Sequence, residues 1–296
     1  MNRNWKTLAV GATIPLSLAL FVPAQADPIP TSKCFGKRPT IAGRAQATLV
    51  GTRKADVIVG GIRVRGRGGN DRICTLGGAD LISAGKGQDM VDGGDNQDSI
   101  SGDRGDDLLY AEKGASFPSG YSQESGGEIV SYASCSGPVV VNLASSQASG
   151  SCGSDTLIGF SEVEGSQFDD IIRGGAAWNG NQLWGNGGSD TLYGSGHESD
   201  DGDDLYGGLG NDYLDGGGWY DFIDGGQGND QLFGGSGSDS LVGAEGFDSF
   251  QGDDGPDRLE SADGVGNESV DGGEADDGCS VDDTDSVANC ETVTVP

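Results

Sequence analysis

The feature that most constrains this chain is a strict nine-residue period running from Glu198 to Glu260. Its seven consecutive units include GGLGNDYLD (Gly207 to Asp215), GGQGNDQLF (Gly225 to Phe233) and GGSGSDSLV (Gly234 to Val242). Asp203, Asp212, Asp221, Asp230, Asp239, Asp248 and Asp257 recur at unit position six. Two residues after each comes a large apolar side chain: Leu205, Leu214, Ile223, Leu232, Leu241, Phe250 and Leu259. A strict period this short belongs to a solenoid of stacked copies rather than to a globular core.

Glycines at unit positions one, two and four permit positive φ and expose backbone N–H and C=O groups in a tight loop. The three residues after position six are too few for a helical turn. They suit a short strand whose central side chain points inward and whose neighbours point outward. The expected unit is a six-residue loop plus a three-residue strand, two units closing one flattened coil. Stacked coils set same-edge loops about 4.8 Å apart, which aligns the position-six carboxylates in two ladders of like charge. At that spacing two unit charges repel by roughly 1 kcal/mol in water and roughly 3 to 4 kcal/mol at an effective dielectric of about 20. A counter-ion between the loops is therefore expected. Carboxylate and carbonyl oxygens on a flexible loop form the ligand set of a hard cation such as calcium. Zinc or copper would call for imidazole or thiolate, and the chain has one histidine, His197.

The same spacing recurs upstream at Asp56, then at Asp71, Asp80, Asp89, Asp98 and Asp107, with inward partners Ile58, Ile73, Ile82, Val91, Ile100 and Leu109. After a break it resumes with Asp155 and Asp170, passes a weak unit around Asn181, and reaches Asp190. The pattern GGxGxDxUx, where U is a large aliphatic, resembles the repeat of the RTX, or hemolysin-type, calcium-binding family. The resemblance implies an all-β fold, a parallel β-roll or β-solenoid. Calcium would lie between successive same-edge loops, held by position-six aspartates and glycine-loop carbonyls. The candidate ligands are Asp56, Asp71, Asp80, Asp89, Asp98, Asp107, Asp170, Asp190, Asp203, Asp212, Asp221, Asp230, Asp239, Asp248 and Asp257. Pairing units two apart gives about eight sites for Ca2+.

Net charge bounds the partners. The chain carries 47 acidic and 17 basic side chains, a formal charge of −30, which argues against nucleic acid and for cations. Its 56 glycines and 34% hydrophobic residues would suggest disorder in a non-periodic chain. Here the period supplies order, conditional on metal. Residues 1–26 read as a secretory signal peptide: Arg3 and Lys6, an apolar run from Leu8 to Val22, then Ala24-Gln25-Ala26. No later segment approaches a membrane span. The expected product is secreted, extracellular and monomeric. Six cysteines in an exported chain favour disulfides. Sequence proximity and symmetry suggest Cys34 with Cys74, Cys135 with Cys152 and Cys279 with Cys290.

The expected organisation is an N-terminal cap at 27–50, a first repeat block at 51–114, a β-rich spacer at 115–164, a second block at 165–271 and a C-terminal cap at 272–296. Six residues, Gly60 to Arg65, interrupt the first block, and Arg63, Arg65, Arg67 and Arg72 gather there. Salt bridges replacing metal are the expectation at that slip, ahead of an anion site. The spacer resembles the β-rich spacer often found between RTX blocks, with strands at Ile129-Val130 and Val139 to Leu143, and with Cys135 and Cys152 as additions. Its expected role is to continue the solenoid. The end resembles the cysteine-bearing cap of secreted, actinobacterial-type calcium-binding repeat proteins; toxin-type RTX proteins generally lack cysteine and an N-terminal signal.

Outward aromatics, Trp184, Tyr193, Tyr206, Tyr213, Phe222 and Phe233, divide between the two faces. They suit cross-strand contacts better than a sugar-stacking patch. No HExxH or GxSxG occurs, and repeat, spacer and cap leave no room for a catalytic domain of ordinary size. The chain thus reads as a non-enzymatic calcium binder, with a surface or glycan-binding adhesin and a polysaccharide-acting enzyme as alternatives. The enzyme would need a basic or titratable groove, and none is evident in the sequence.

Overall fold

The computed structural model describes residues 33–111, 128–177, 180–196 and 202–296. The stretch expected to be a signal peptide, the Ser- and Gly-rich stretch up to residue 127, and His197 lie outside the described residues. All regular elements among the described residues are strands, in one sheet of 15 and one of 13. Outside the spacer, consecutive strands alternate between the sheets, and each pairs in parallel with the strand one coil on. Leu205 lies opposite Ile223 and then Leu241; on the other sheet Leu214 lies opposite Leu232 and then Phe250. These side chains meet between the sheets, each at most 1% exposed. Ile58, Ile73, Ile82, Val91, Ile100 and Leu109 form the same column in the first block.

The strands of the strict run are longer than three residues. Tyr213–Trp219 and Gln231–Gly237 each have seven, because the first glycines of the next unit keep bonding to the neighbouring coil before the chain turns. Gly226, at φ 98°, shows why that corner is glycine: a Cβ there would sit 2.3 Å from the carbonyl oxygen of Gly208.

The interruptions are built differently. The residues Gly60 to Arg65 do not merely break the repeat. They contain the strand Arg63–Arg65, which pairs with Leu81–Lys86 and so completes a shortened coil. In the spacer, Val139–Asn142, Gln147–Gly150 and Gly153–Ile158 form an antiparallel meander within the larger sheet. Its outer strands pair in parallel with Ile171–Arg173 and Leu108–Tyr110. On the opposite face Ile129–Ser131 and Glu162–Glu164 carry the smaller sheet across. This meander accounts for the two extra strands of the larger sheet. The spacer thus continues the solenoid on one face and widens it on the other.

The ends form rungs. Ile41–Ala42 and Thr48–Val50 pair as first strands of the two sheets, and Ser286–Ala288 and Thr292–Thr294 as last strands. The disulfides are Cys34–Cys74, Cys135–Cys152 and Cys279–Cys290. The first closes 40 residues of sequence, and in the chain-entropy account such a loop contributes on the order of 3 to 4 kcal/mol. Outward aromatics form one ladder per face: Trp184, Tyr206 and Phe222, with centroids 5.8 and 5.7 Å apart, and Tyr193, Tyr213 and Phe233, at 5.7 and 5.0 Å. They pack on one another across strands.

Candidate metal centre

Each position-six residue stands immediately before its strand, so coil stacking superposes these residues along the two edges. The two oxygens of each carboxylate then meet different surroundings. Oδ1 accepts the backbone N–H of the position-six residue one coil earlier. On one edge the bonds run from Asp56 through Asp71, Asp89 and Asp107 to Asp155, at 2.7 to 3.0 Å. Beyond the meander they run from Asp170 through Asp190, Asp212 and Asp230 to Asp248. On the other edge Asp80 donates to Asp98, and the series resumes from Asn181 through Asp203, Asp221, Asp239 and Asp257 to Asp277.

The second oxygen has no such partner. Oδ2 of Asp71, Asp80, Asp89, Asp98, Asp107, Asp190, Asp212, Asp221, Asp230, Asp239, Asp248 and Asp257 is buried without a hydrogen bond. A buried polar atom left unpaired costs about 1 to 3 kcal/mol, more when charged. Its surroundings show what would satisfy it. A Cβ built on Gly207 would lie 2.5 Å from Asp212 Oδ2 and 2.5 Å from the carbonyl oxygen of Gly225, one coil on. At Gly234 the same substitution meets Asp239 Oδ2 at 2.7 Å and the Gly252 carbonyl at 2.6 Å. The position-one glycine therefore keeps clear a space in which a carboxylate oxygen and a main-chain carbonyl converge. With electron-rich oxygens facing it, a cation fits and another hydrogen-bond acceptor does not.

Burial is the main reason these carboxyls are held far above the usual aspartate range. Asp98, Asp107 and Asp221 are pushed up to about 8, Asp71, Asp190, Asp230 and Asp257 to about 7, and Asp80, Asp89, Asp212 and Asp239 to about 6. For most of them the accepted backbone N–H pulls back, and neighbouring carboxylates push further up. Without a cation, the carboxyls raised to about 8, Asp98, Asp107 and Asp221, hold a proton at neutral pH. Among the described residues no three His, Cys, Asp or Glu side chains converge on one point. A bound ion here relies on backbone carbonyls beside carboxylate, a donor set suited to the six to eight oxygens of calcium and unsuited to soft metals.

Three of the fifteen candidates differ. Asp56 Oδ2 accepts Thr52 N–H and Oγ1–H at 2.7 and 2.9 Å. Asp170 takes Ser166 N–H at 2.5 Å on Oδ2 and Ser166 Oγ–H at 2.8 Å on Oδ1. Asp203 Oδ2 takes Ser195 N–H and Oγ–H at 2.5 and 3.1 Å. In each a Ser or Thr follows the loop's first glycine and its hydroxyl reaches the carboxylate. Asp155, also at an interruption, accepts Tyr132 O–H at 3.0 Å.

The structure also adds rungs absent from the candidate set. Asp277 Oδ2 and Glu268 Oε2 are buried and unpaired, and Glu128 accepts the Asp98 N–H at 2.7 Å. Insertions, of two residues before Glu268 and of twelve before Glu128, shift them off the nine-residue period. The acid followed two residues later by an inward apolar residue, Val130 or Val270, was the signal that would have found them.

A family model described as the RTX calcium-binding nonapeptide repeat (4 copies) matches residues 65–100, 83–117, 199–232, 206–241 and 233–266. Both stretches of the chain therefore carry RTX calcium-binding nonapeptide repeats. Both matched stretches are repeat blocks, and the RTX reading agrees with the all-β, parallel solenoid observed. No match was found among curated proteins. The RTX repeats make this a calcium-binding β-roll protein.

Proposed function

We propose that the chain is an extracellular, monomeric, non-enzymatic β-roll whose repeats fold on several calcium ions. The supporting observation is the set of buried carboxylate oxygens without partners, ten of the twelve on a loop whose first residue is a glycine that keeps space open beside the oxygen. Asp71, Asp80, Asp89, Asp98, Asp107, Asp190, Asp212, Asp221, Asp230, Asp239, Asp248 and Asp257 are the ligands in this reading, with backbone carbonyls completing each site. Asp56, Asp170 and Asp203, already satisfied by hydroxyls, serve as metal-free rungs. Bound calcium replaces the protons these carboxyls otherwise hold and removes the repulsion between rungs. The division into cap, two blocks, spacer and cap belongs to the same proposal, as does export through residues 1–26.

The test is a calcium titration of the chelated, oxidised protein, read by far-ultraviolet circular dichroism with calorimetric stoichiometry. A cooperative gain of β signal and about eight ions per chain are expected. One or two ions, or a spectrum indifferent to calcium, would overturn the reading.

A further inference from the structure

The register slip near the start of the solenoid builds a surface of a different kind. Alternate residues of a strand face opposite ways, so Arg63–Arg65 buries Val64 and turns Arg63 and Arg65 outward on the smaller sheet. Arg67 follows, at φ 79°. On the same edge Lys86 bridges to Gly68, and Arg104 lies in register with Lys86 one rung further. All five cationic side chains are exposed, and none joins an ion pair among the described residues. The salt bridges expected at the arginine cluster from sequence are therefore not formed by Arg63, Arg65 or Arg67. In a chain of net charge −30, this face reverses the local sign.

A groove lies between these cations, the basic groove that the sequence did not reveal. It consists of adjoining hollows of 320 and 460 Å³ that share Arg65, Ser83, Asp103 and Ser134. The floor is hydroxyl-rich: Arg65 is in register with Ser83, Ser83 with Ser101, and Ser131 follows on the next strand. Asp103, which also lines both hollows, makes no ion pair with the arginines. It accepts the hydroxyls of Ser83, Ser101 and Ser134 at 2.5, 3.2 and 2.9 Å. The groove closes where Ser131 donates to Glu164 at 2.6 Å and the sign turns acidic again.

We propose that this groove binds a short stretch of linear acidic polysaccharide. Uronate carboxylates lie against the five cations, and sugar hydroxyls lie over the serine floor. Four rungs, from Arg63–Arg65 to Ile129–Ser131, span about 14 Å, room for a few sugar units. Among the described residues no aromatic side chain lines either hollow, so the stacking that single-stranded nucleic acid uses is missing. A duplex would press its phosphates against the acidic remainder of the chain.

The experiment is calorimetric binding of a hyaluronate octasaccharide to the calcium-loaded full chain at low salt. Saturable binding that weakens as salt rises is expected. The exposed triple variant Arg63→Gln/Arg65→Gln/Arg67→Gln should bind about tenfold or more weakly, with an unchanged dichroism spectrum. Lys86→Gln/Arg104→Gln, on the next two rungs of the same edge, should also weaken binding, whereas Arg258→Gln, distant from the groove, should leave it intact. No binding by the unmodified chain, or full affinity in the triple variant, would overturn the proposal. Equal affinity for an oligothymidylate of matched charge would replace the polysaccharide with an unselective response to charge.

Discussion

The rungs of the strict run and the rungs beside the interruptions share one backbone hydrogen bond and differ in how the remaining oxygen is met. In the run, Asp212, Asp221, Asp230, Asp239, Asp248 and Asp257 each keep one oxygen buried and unpaired. At the interruptions Asp56, Asp155 and Asp203 have that oxygen bonded to a hydroxyl; for Asp170 the Ser166 backbone N–H takes Oδ2 while the hydroxyl takes Oδ1. The difference shows how a single solenoid can contain metal-requiring and metal-independent segments. A serine or threonine at the second loop position answers the carboxylate from within the chain, whereas glycine there, or Ala244 and Asp253 before Asp248 and Asp257, leaves one oxygen unpaired.

The largest expected effect separates the two regions by metal. Chelation of the oxidised protein should abolish amide protection across 202–260, while the meander at 139–158, tied by Cys135–Cys152, retains much of its own. Hydrogen exchange followed by mass spectrometry measures both, and equal loss in the two segments would break the comparison.

The second effect is of pH on the chelated protein. Carboxyls held at about 6 to 8 in the folded chain stand near 4 when unfolded, so the folded state binds more protons across that interval. Their contribution to stability is present in full below the unfolded value and is lost as pH rises through about 6 to 8. Metal-free protein should therefore gain β signal on acidification from pH 8 to pH 5, the reverse of ordinary acid denaturation, and calcium affinity should rise with pH. Loss of β signal over that interval would contradict the burial of these carboxylates.

A third pair of variants sharpens the comparison residue by residue. Asp221→Asn removes a charge at an unpaired rung, so it should weaken calcium binding yet raise the thermal midpoint of the chelated protein. Ser166→Ala strips a rung of its hydroxyl and should cost about 1 kcal/mol with or without calcium. Thermal melts in both metal states read the four values; equal responses to calcium would erase the distinction.

A fourth effect is steric. Gly207→Ala places a methyl 2.5 Å from both Asp212 Oδ2 and the Gly225 carbonyl, and should destabilise the calcium form by about 1 to 3 kcal/mol. Gly68→Ala, at the register slip, meets nothing nearer than 3.5 Å and should stay within about 0.5 kcal/mol. Denaturant midpoints in calcium distinguish them.

Much of this was legible in the chain, for physical reasons. An inward apolar side chain two residues after each position-six aspartate reports a strand that buries one side chain, and the column from Leu205 to Leu259 follows from it. The cysteine pairs were legible because each lies near its partner in sequence at a break in the period. Glu128 and Glu268 were missed because insertions moved them off the period while the coil restored them to the ladder. The aromatics are alternating residues in sequence, and their pairing as Trp184–Tyr206 and Tyr193–Tyr213 depends on which units share a face.

By itself the sequence determined the repeating unit, its buried column, its acidic ladders and the class of ion they call for, because these follow from spacing within nine residues. Only the tertiary structure decided which carboxylates remain unpaired and which are met by a hydroxyl, and that Arg65, Lys86 and Arg104 border one groove. Those outcomes depend on contacts between residues a coil apart. Such contacts are set by how each interruption closes its coil, and no local spacing encodes that closure.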